Sequence, residues 1–125
     1  MLLFLSIYVA SIYDDEEVQA AYEVILRQVP ECGIEKGNVQ LSKIEPSSDG
    51  NPVYEYYSKK GILYVSGSSG FSICHGFYQF MKSQEYGIIT WSGRNIRWSD
   101  TLPDTDLVRQ ESPGRYHYNY NVVTF

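Results

Sequence analysis

The sequence predicts an α+β two-layer sandwich, a mixed β-sheet with two helices packed on one face. Three observations predict it. Two stretches repeat apolar residues at three- and four-residue spacing, as amphipathic helices do. About five short runs rich in Tyr, Val and Ile lie around them, bounded by Gly, Pro and Asn. Between residues 53 and 93 the order is strand, tight turn, strand, Gly-rich bend, helix, strand, which lays a helix back over a hairpin. With 125 residues, 43% of them hydrophobic, the chain is long enough for one domain with a core of its own.

The elements follow in chain order. Asp14 or Asp15 is a candidate N-cap, with Glu16 and Glu17 in the first turn where the helix dipole favours acids. Val18, Ala21, Tyr22, Ile25, Leu26 and Val29 form one helical face, and Pro30 and Gly33 end it. Residues 39–44 suit a strand, and 46–52 a loop rich in Pro, Ser, Asp and Gly. Strands over 53–58 and 62–66 flank a turn at Lys59, Lys60 and Gly61. Gly67-Ser68-Ser69-Gly70 bends the chain into a second helix with Phe71, Cys74, Phe77, Tyr78 and Met81 as its apolar stripe; Gly87 is its expected stop. Phe77, at the centre of that stripe, is expected to be buried. Strands over 88–91 and 95–98 come next, then an extended connector over 99–114. Residues 115–123 alternate Tyr and Val with Arg, His and Asn, the pattern of a strand with two unlike faces. The face of the sheet opposite the helices carries Tyr and Ser, and is expected to be wet or to cover another domain.

Composition narrows the function classes. Ten Lys and Arg against 15 Asp and Glu give a net charge of −5. Nucleic-acid affinity comes from neutralising phosphates, so an acidic chain with no basic cluster is a poor candidate. Residues 1–11 read as a short apolar run followed by small residues, with Val9 and Ser11 suited to the third and first positions before a signal-peptidase cut. A signal-peptide remnant is expected there, in a run too short to span a bilayer. The alternative is a buried strand or helical turn. Two cysteines, Cys32 and Cys74, make no zinc site without His at ligand spacing. A buried free thiol is expected at Cys74; a Cys32–Cys74 disulfide would require export.

Three local features invite sharper chemistry. The Gly67–Gly70 bend could cradle a phosphate at a helix start. Yet no Gly-Lys-Ser/Thr follows, and Gly67, Gly70 and Gly76 do not have dinucleotide spacing, so a tight turn is the expected role. His75 adjoins Cys74, but neighbours on a helix point about 100° apart and cannot act as base and nucleophile. His117, the other histidine, lies on the polar side of the tail strand. Glycoside hydrolysis would need two carboxylates across a scissile bond. The acids here fall at a helix start, in the connector and at isolated positions instead. No residue of this chain is expected to be catalytic, and no cofactor or metal is implied.

The hairpin with its Gly67-Ser68-Ser69-Gly70 bend, the helix with Gly76 and Tyr78, and Thr90-Trp91-Ser92-Gly93 followed by Leu102-Pro103 resemble the N-terminal domain of the family 89 glycoside hydrolases, the α-N-acetylglucosaminidases. Arg115-Tyr116-His117-Tyr118 with Asn121-Val122 resembles the segment at which that family's catalytic (β/α) barrel begins. The plan also resembles the small domain preceding the barrel in β-hexosaminidases. The resemblance implies a division into an accessory domain over 12–98, a connector over 99–114 and the start of the first barrel strand over 115–125. It implies that the barrel supplies the two catalytic glutamates, and that the intact enzyme is exported and removes terminal α-linked N-acetylglucosamine with retention. This piece would support the barrel, its partner in the same polypeptide. Asn121 is the one position onto which the resemblance carries a substrate-binding role. A free-standing carbohydrate-binding or protein-interaction module, with the Tyr-rich face as platform, is the alternative. A small phosphate-binding enzyme using the bend ranks last.

Overall fold

The computed structural model describes residues 13–113. Helix α1 spans Glu16–Gln28. Its N-cap is Asp15, whose carboxylate accepts the amides of Glu17 and Val18 at 2.9 and 3.2 Å. Two single 3-10 turns, Pro30–Cys32 and Ile34–Lys36, lead to strand β1, Val39–Lys43. Strands β2, Val53–Lys59, and β3, Ile62–Gly67, form the expected hairpin. Its turn puts Lys60 and Gly61 at φ 53° and 78°, so the second position suits glycine, which has no Cβ to clash.

Helix α2 spans Gly70–Ser83, followed by the hairpin β4, Gly87–Thr90, and β5, Gly93–Ile96. Strand β6 is Val108–Glu111. The main sheet has the order β1-β3-β2-β6. Strand β1 runs parallel to β3, while β2 is antiparallel to both β3 and β6, so the sheet is mixed. Both helices lie on one face. Val39, Leu41, Leu63, Val65 and Tyr56 point into a core shared with Val18, Ala21, Ile25, Ile73, Phe77, Phe80 and Met81. The two-layer α+β sandwich is therefore as the sequence predicts.

Three local expectations are corrected. The buried face of α2 is Ser72, Ile73, Gly76, Phe77, Phe80 and Met81, whereas Phe71 is 59% exposed and Cys74 and Tyr78 are half-buried. Phe77 is buried as expected. The helix carries apolar residues on two overlapping stripes, which periodicity cannot separate. The sheet selects one, because Gly76 gives the side chain of Tyr54 room that a Cβ would narrow to 3.1–3.3 Å. Gly87 does not stop the helix. Gln84 caps it, Glu85 takes the left-handed conformation at φ 60°, and the amides of Glu85 and Tyr86 bond back to Lys82 and Met81 at 3.0 and 2.9 Å. This is a Schellman closure with Glu in the place glycine usually fills.

The stretch expected as connector also contains β6, which pairs with Val53–Tyr56 and covers the outer edge of β2. Its approach is fixed at Ser58. The Ser58 hydroxyl bonds Pro103 O and Thr105 Oγ1, the Ser58 amide donates to Thr105 Oγ1, and the Thr105 amide donates to Ser58 O. Composition read these Pro- and Asp-rich residues as loop, because a four-residue edge strand leaves little alternation to detect.

Candidate functional site

The Gly67–Gly70 bend is tied into the fold through its two serine hydroxyls, the Ser68 amide and its two glycines. Ser69 caps α2, its hydroxyl accepting the amide of Ser72 at 3.2 Å. The hydroxyl of Ser68 accepts the amide of Val53, and its own amide returns to Val53 O. A Cβ on Gly67 would lie 2.5 Å from the amide nitrogen of Ile73, and one on Gly70 2.9 Å from Glu17 O. The glycines are there for close packing of strand, bend and both helices, as the spacing argument expects.

No described carboxylate is buried. A general acid for glycoside cleavage is usually held protonated by an apolar pocket. Several of the acids do structural work instead. Backbone bonds from Val18 and Glu17, with Lys43 alongside, hold the Asp15 carboxyl below the usual carboxylate range. Lys43 pairs with Glu17 at 2.6 Å, joining α1 to β1. Arg94 bonds Glu31 at 2.9 Å and Gln28 O at 3.0 Å, clamping the β4–β5 hairpin to the end of α1. Arg109 pairs with Glu55 across β6 and β2. Asp104 accepts the amide of Lys60 at 3.0 Å. These exposed pairs are screened by water and chiefly orient elements.

His75 is exposed on α2, its ring stacked 5.2 Å from Tyr54, itself stacked 6.2 Å from Tyr56. Its Nε2 lies 3.2 Å from the Gln79 amide. Among the described residues no three His, Cys, Asp or Glu side chains gather as a metal would require. Asn121, His117 and residues 1–11 lie outside the described residues.

Both cysteines are free thiols, Cys32 buried and Cys74 half-buried. Burial pushes the Cys32 thiol up to about 11, and raises Cys74 as well. Since the unfolded thiol ionises near 9, Cys32 contributes stability that is full below that pH and is lost as the pH rises toward 11. Near neutral pH, iodoacetamide is expected to label Cys74 before Cys32, and both at once in urea, since the thiolate is the nucleophile. Peptide mass spectrometry after brief labelling checks the order. Modification of Cys32 first would mean that the two 3-10 turns open more readily than α2.

Two surfaces remain. The open face of the sheet carries the stacked pair Tyr57–Tyr64 at 4.8 Å, the hydroxyl pair Ser42–Ser66 at 2.7 Å and the Glu55–Arg109 ion pair. This is the Tyr- and Ser-bearing face the alternation predicts. On the helix side, a groove of about 280 Å³ runs between α1, α2 and β4. Sequence reasoning missed it. Its floor is the core residue Phe77 flanked by Cys74 and Tyr78, two half-buried residues that the sequence pattern places in the core stripe.

Fold and site together define a small α+β domain with no buried carboxylate among its described residues. The chain belongs to a known family: the model of the α-N-acetylglucosaminidase (NAGLU) N-terminal domain matches residues 19–104. Solved structures of a family 89 glycoside hydrolase from Clostridium perfringens share the fold. The complex with PUGNAc superposes with a TM-score of 0.67 at 20% identity, covering 78% of this chain and 11% of that one. A complex with the substrate GlcNAc-α-1,4-galactose gives the same values. The complex with 2-acetamido-1,2-dideoxynojirmycin has a TM-score of 0.64 and covers 86% of this chain and 12% of that one. The present chain thus spans about a ninth of the length of these enzymes. No curated protein sequence gives a significant match. Among the described residues no helix is long and apolar enough to cross a membrane.

Proposed function

We propose that this chain is the non-catalytic N-terminal domain of an exported, exo-acting α-N-acetylglucosaminidase. The observation that carries the reading is the family match over 19–104, joined to a set of acids engaged in caps and ion pairs. The catalytic carboxylates belong to a (β/α) barrel in the same polypeptide. They remove terminal α-linked N-acetylglucosamine from a glycan by double displacement, with retention. In that intact enzyme Asn121 contacts the sugar at the mouth of the barrel.

The gene product carrying both parts is expected to cleave an aryl α-N-acetylglucosaminide, while the 125-residue chain alone gives no turnover above buffer. Asn121→Ala in the intact protein is expected to lower kcat/KM with melting temperature nearly unchanged. Turnover by the 125-residue chain that disappears on mutating one of its own acids would overturn the reading. A large fall in melting temperature with normal turnover would assign Asn121 to structure. The stacked Tyr57–Tyr64 pair on the open sheet face favours a second reading, a carbohydrate-binding or protein-interaction module. That reading requires the 125-residue chain by itself to bind an N-acetylglucosamine oligosaccharide, and Tyr64→Ala to abolish the binding.

A further inference from the structure

The end of α2 carries a strained residue at the rim of a pocket. Glu85 has φ 60°, in the left-handed region where every residue but glycine crowds its own Cβ. Lys60 shares this conformation, but it sits in a tight hairpin turn whose geometry demands it. The closure after α2 makes no demand for Glu, since glycine would form the same backbone bonds without strain. Strained residues gather where a side chain has work to do. Within the fold Glu85 has none: among the described residues its carboxylate enters no ion pair and no hydrogen bond.

The pocket lies between the end of α2 and the β4–β5 hairpin and has a volume of about 510 Å³. Small-ligand clefts run from roughly 300 to 1,000 Å³. Beside Glu85 it is lined by Lys82, Tyr86, Ile88, Asn95 and Arg97. The Lys82 ammonium lies 5.3 Å from the centre of the Tyr78 ring, which holds it at the wall. Its place in the last helical turn also suits the helix dipole. Arg97 has no such duty. Its amide bonds Tyr86 O at 2.6 Å, fixing its backbone against the helix end, while its guanidinium has no partner among the described residues. Ile88 and Asn95 are a cross-strand pair, so their side chains share one face of the hairpin.

These groups define a ligand. Two cations and one carboxylate leave the pocket a positive charge in excess, on a chain whose net charge is −5. An ammonium and a guanidinium on one cleft suit an oxyanion. The Glu85 carboxylate accepts only, so it needs a hydroxyl or N–H donor, and the Asn95 amide can both give and accept. The Tyr86 ring and Ile88 offer an apolar wall to the C–H face of a ring. We propose that this pocket binds a sugar-sized hydroxylated anion, with Lys82 and Arg97 on its carboxylate, sulfate or phosphate group and Glu85 and Asn95 on its hydroxyls.

Calorimetric titration of the 125-residue chain with glucuronate, glucose 6-sulfate, glucose 6-phosphate and neutral glucose tests this. At least one of the three anions is expected to bind with a dissociation constant on the order of millimolar or tighter, and glucose to give no heat. The anion that binds identifies the charged group. Arg97→Gln is expected to weaken that binding about tenfold with the melting temperature unchanged. Glu85→Gly is expected to weaken it several-fold and to raise the melting temperature, because glycine relieves the strain. No binding by any of the three, or equal binding of glucose, would overturn the proposal. Inorganic sulfate or phosphate bound as tightly as the sugars would overturn it too, since that is an ion site only. So would binding that both variants leave intact, or a fall in melting temperature on Glu85→Gly, which would make Glu85 a structural residue. Arg97-dependent binding is expected to persist in the intact gene product. Its loss there would mean that the rest of the polypeptide fills the pocket, which again overturns the proposal.

Discussion

Replacing Phe80 by alanine is expected to destabilise the domain by about 3–5 kcal/mol, the usual cost of truncating a buried Phe. Phe80 has no exposed surface and contacts Tyr56, Tyr86 and Trp98, at ring separations of 5.7, 6.1 and 6.1 Å. It therefore joins the sheet, the end of α2 and the residues that follow β5 in one cluster. A cavity there cannot be filled by sliding a single neighbour, because each belongs to a different element. Phe71→Ala is the matched control. That ring lies one helix face away and is 59% exposed, so its loss should cost under about 1 kcal/mol. Urea unfolding of the two variants gives the comparison. Equal losses would mean that α2 is turned relative to the sheet.

Gly67→Ala is expected to cost about 1–3 kcal/mol, the range for forcing a methyl group into a packed site. The added Cβ would sit 2.5 Å from Ile73 N and 2.8 Å from Ser72 C. Both are backbone atoms of α2, so no side chain can rotate aside. Moving them would shift the first turn of the helix and loosen the Ser69 cap at Ser72. The loss should appear as a lower urea midpoint. A change within about 0.5 kcal/mol, the range of surface substitutions, would show that the helix start yields freely.

Much of the domain can be read from the chain alone. The cap at Asp15, the face of α1, the hairpin at Lys60 and Gly61 and the tight bend at 67–70 are local features. Each is decided by residues a few positions apart, so the sequence that builds it also announces it. The resemblance carried by Thr90-Trp91-Ser92-Gly93 and its neighbours pointed to the family that the match over residues 19–104 establishes. The candidate surface was less legible. Trp91 belongs to the family-like segment, but nothing nearby in sequence shows that it stands clear of the core. Its position depends on Arg94 reaching Glu31, 63 residues earlier.

Helical and strand periodicity and turn chemistry act over a few residues, so the fold class, both helices and five of the six described strands can be read from the chain. Only the tertiary structure decided which of two apolar stripes on α2 became core. It also decided that the Pro-rich stretch after Trp98 returns to form an edge strand, and that Ser58 anchors it through Pro103 and Thr105. These outcomes compare contacts between residues far apart in the chain. Ile73 and Phe80 won the sheet over Cys74 and Tyr78 because Gly76 lets the helix settle against Tyr54. No periodicity within α2 records that, since the room it uses lies on the facing strand.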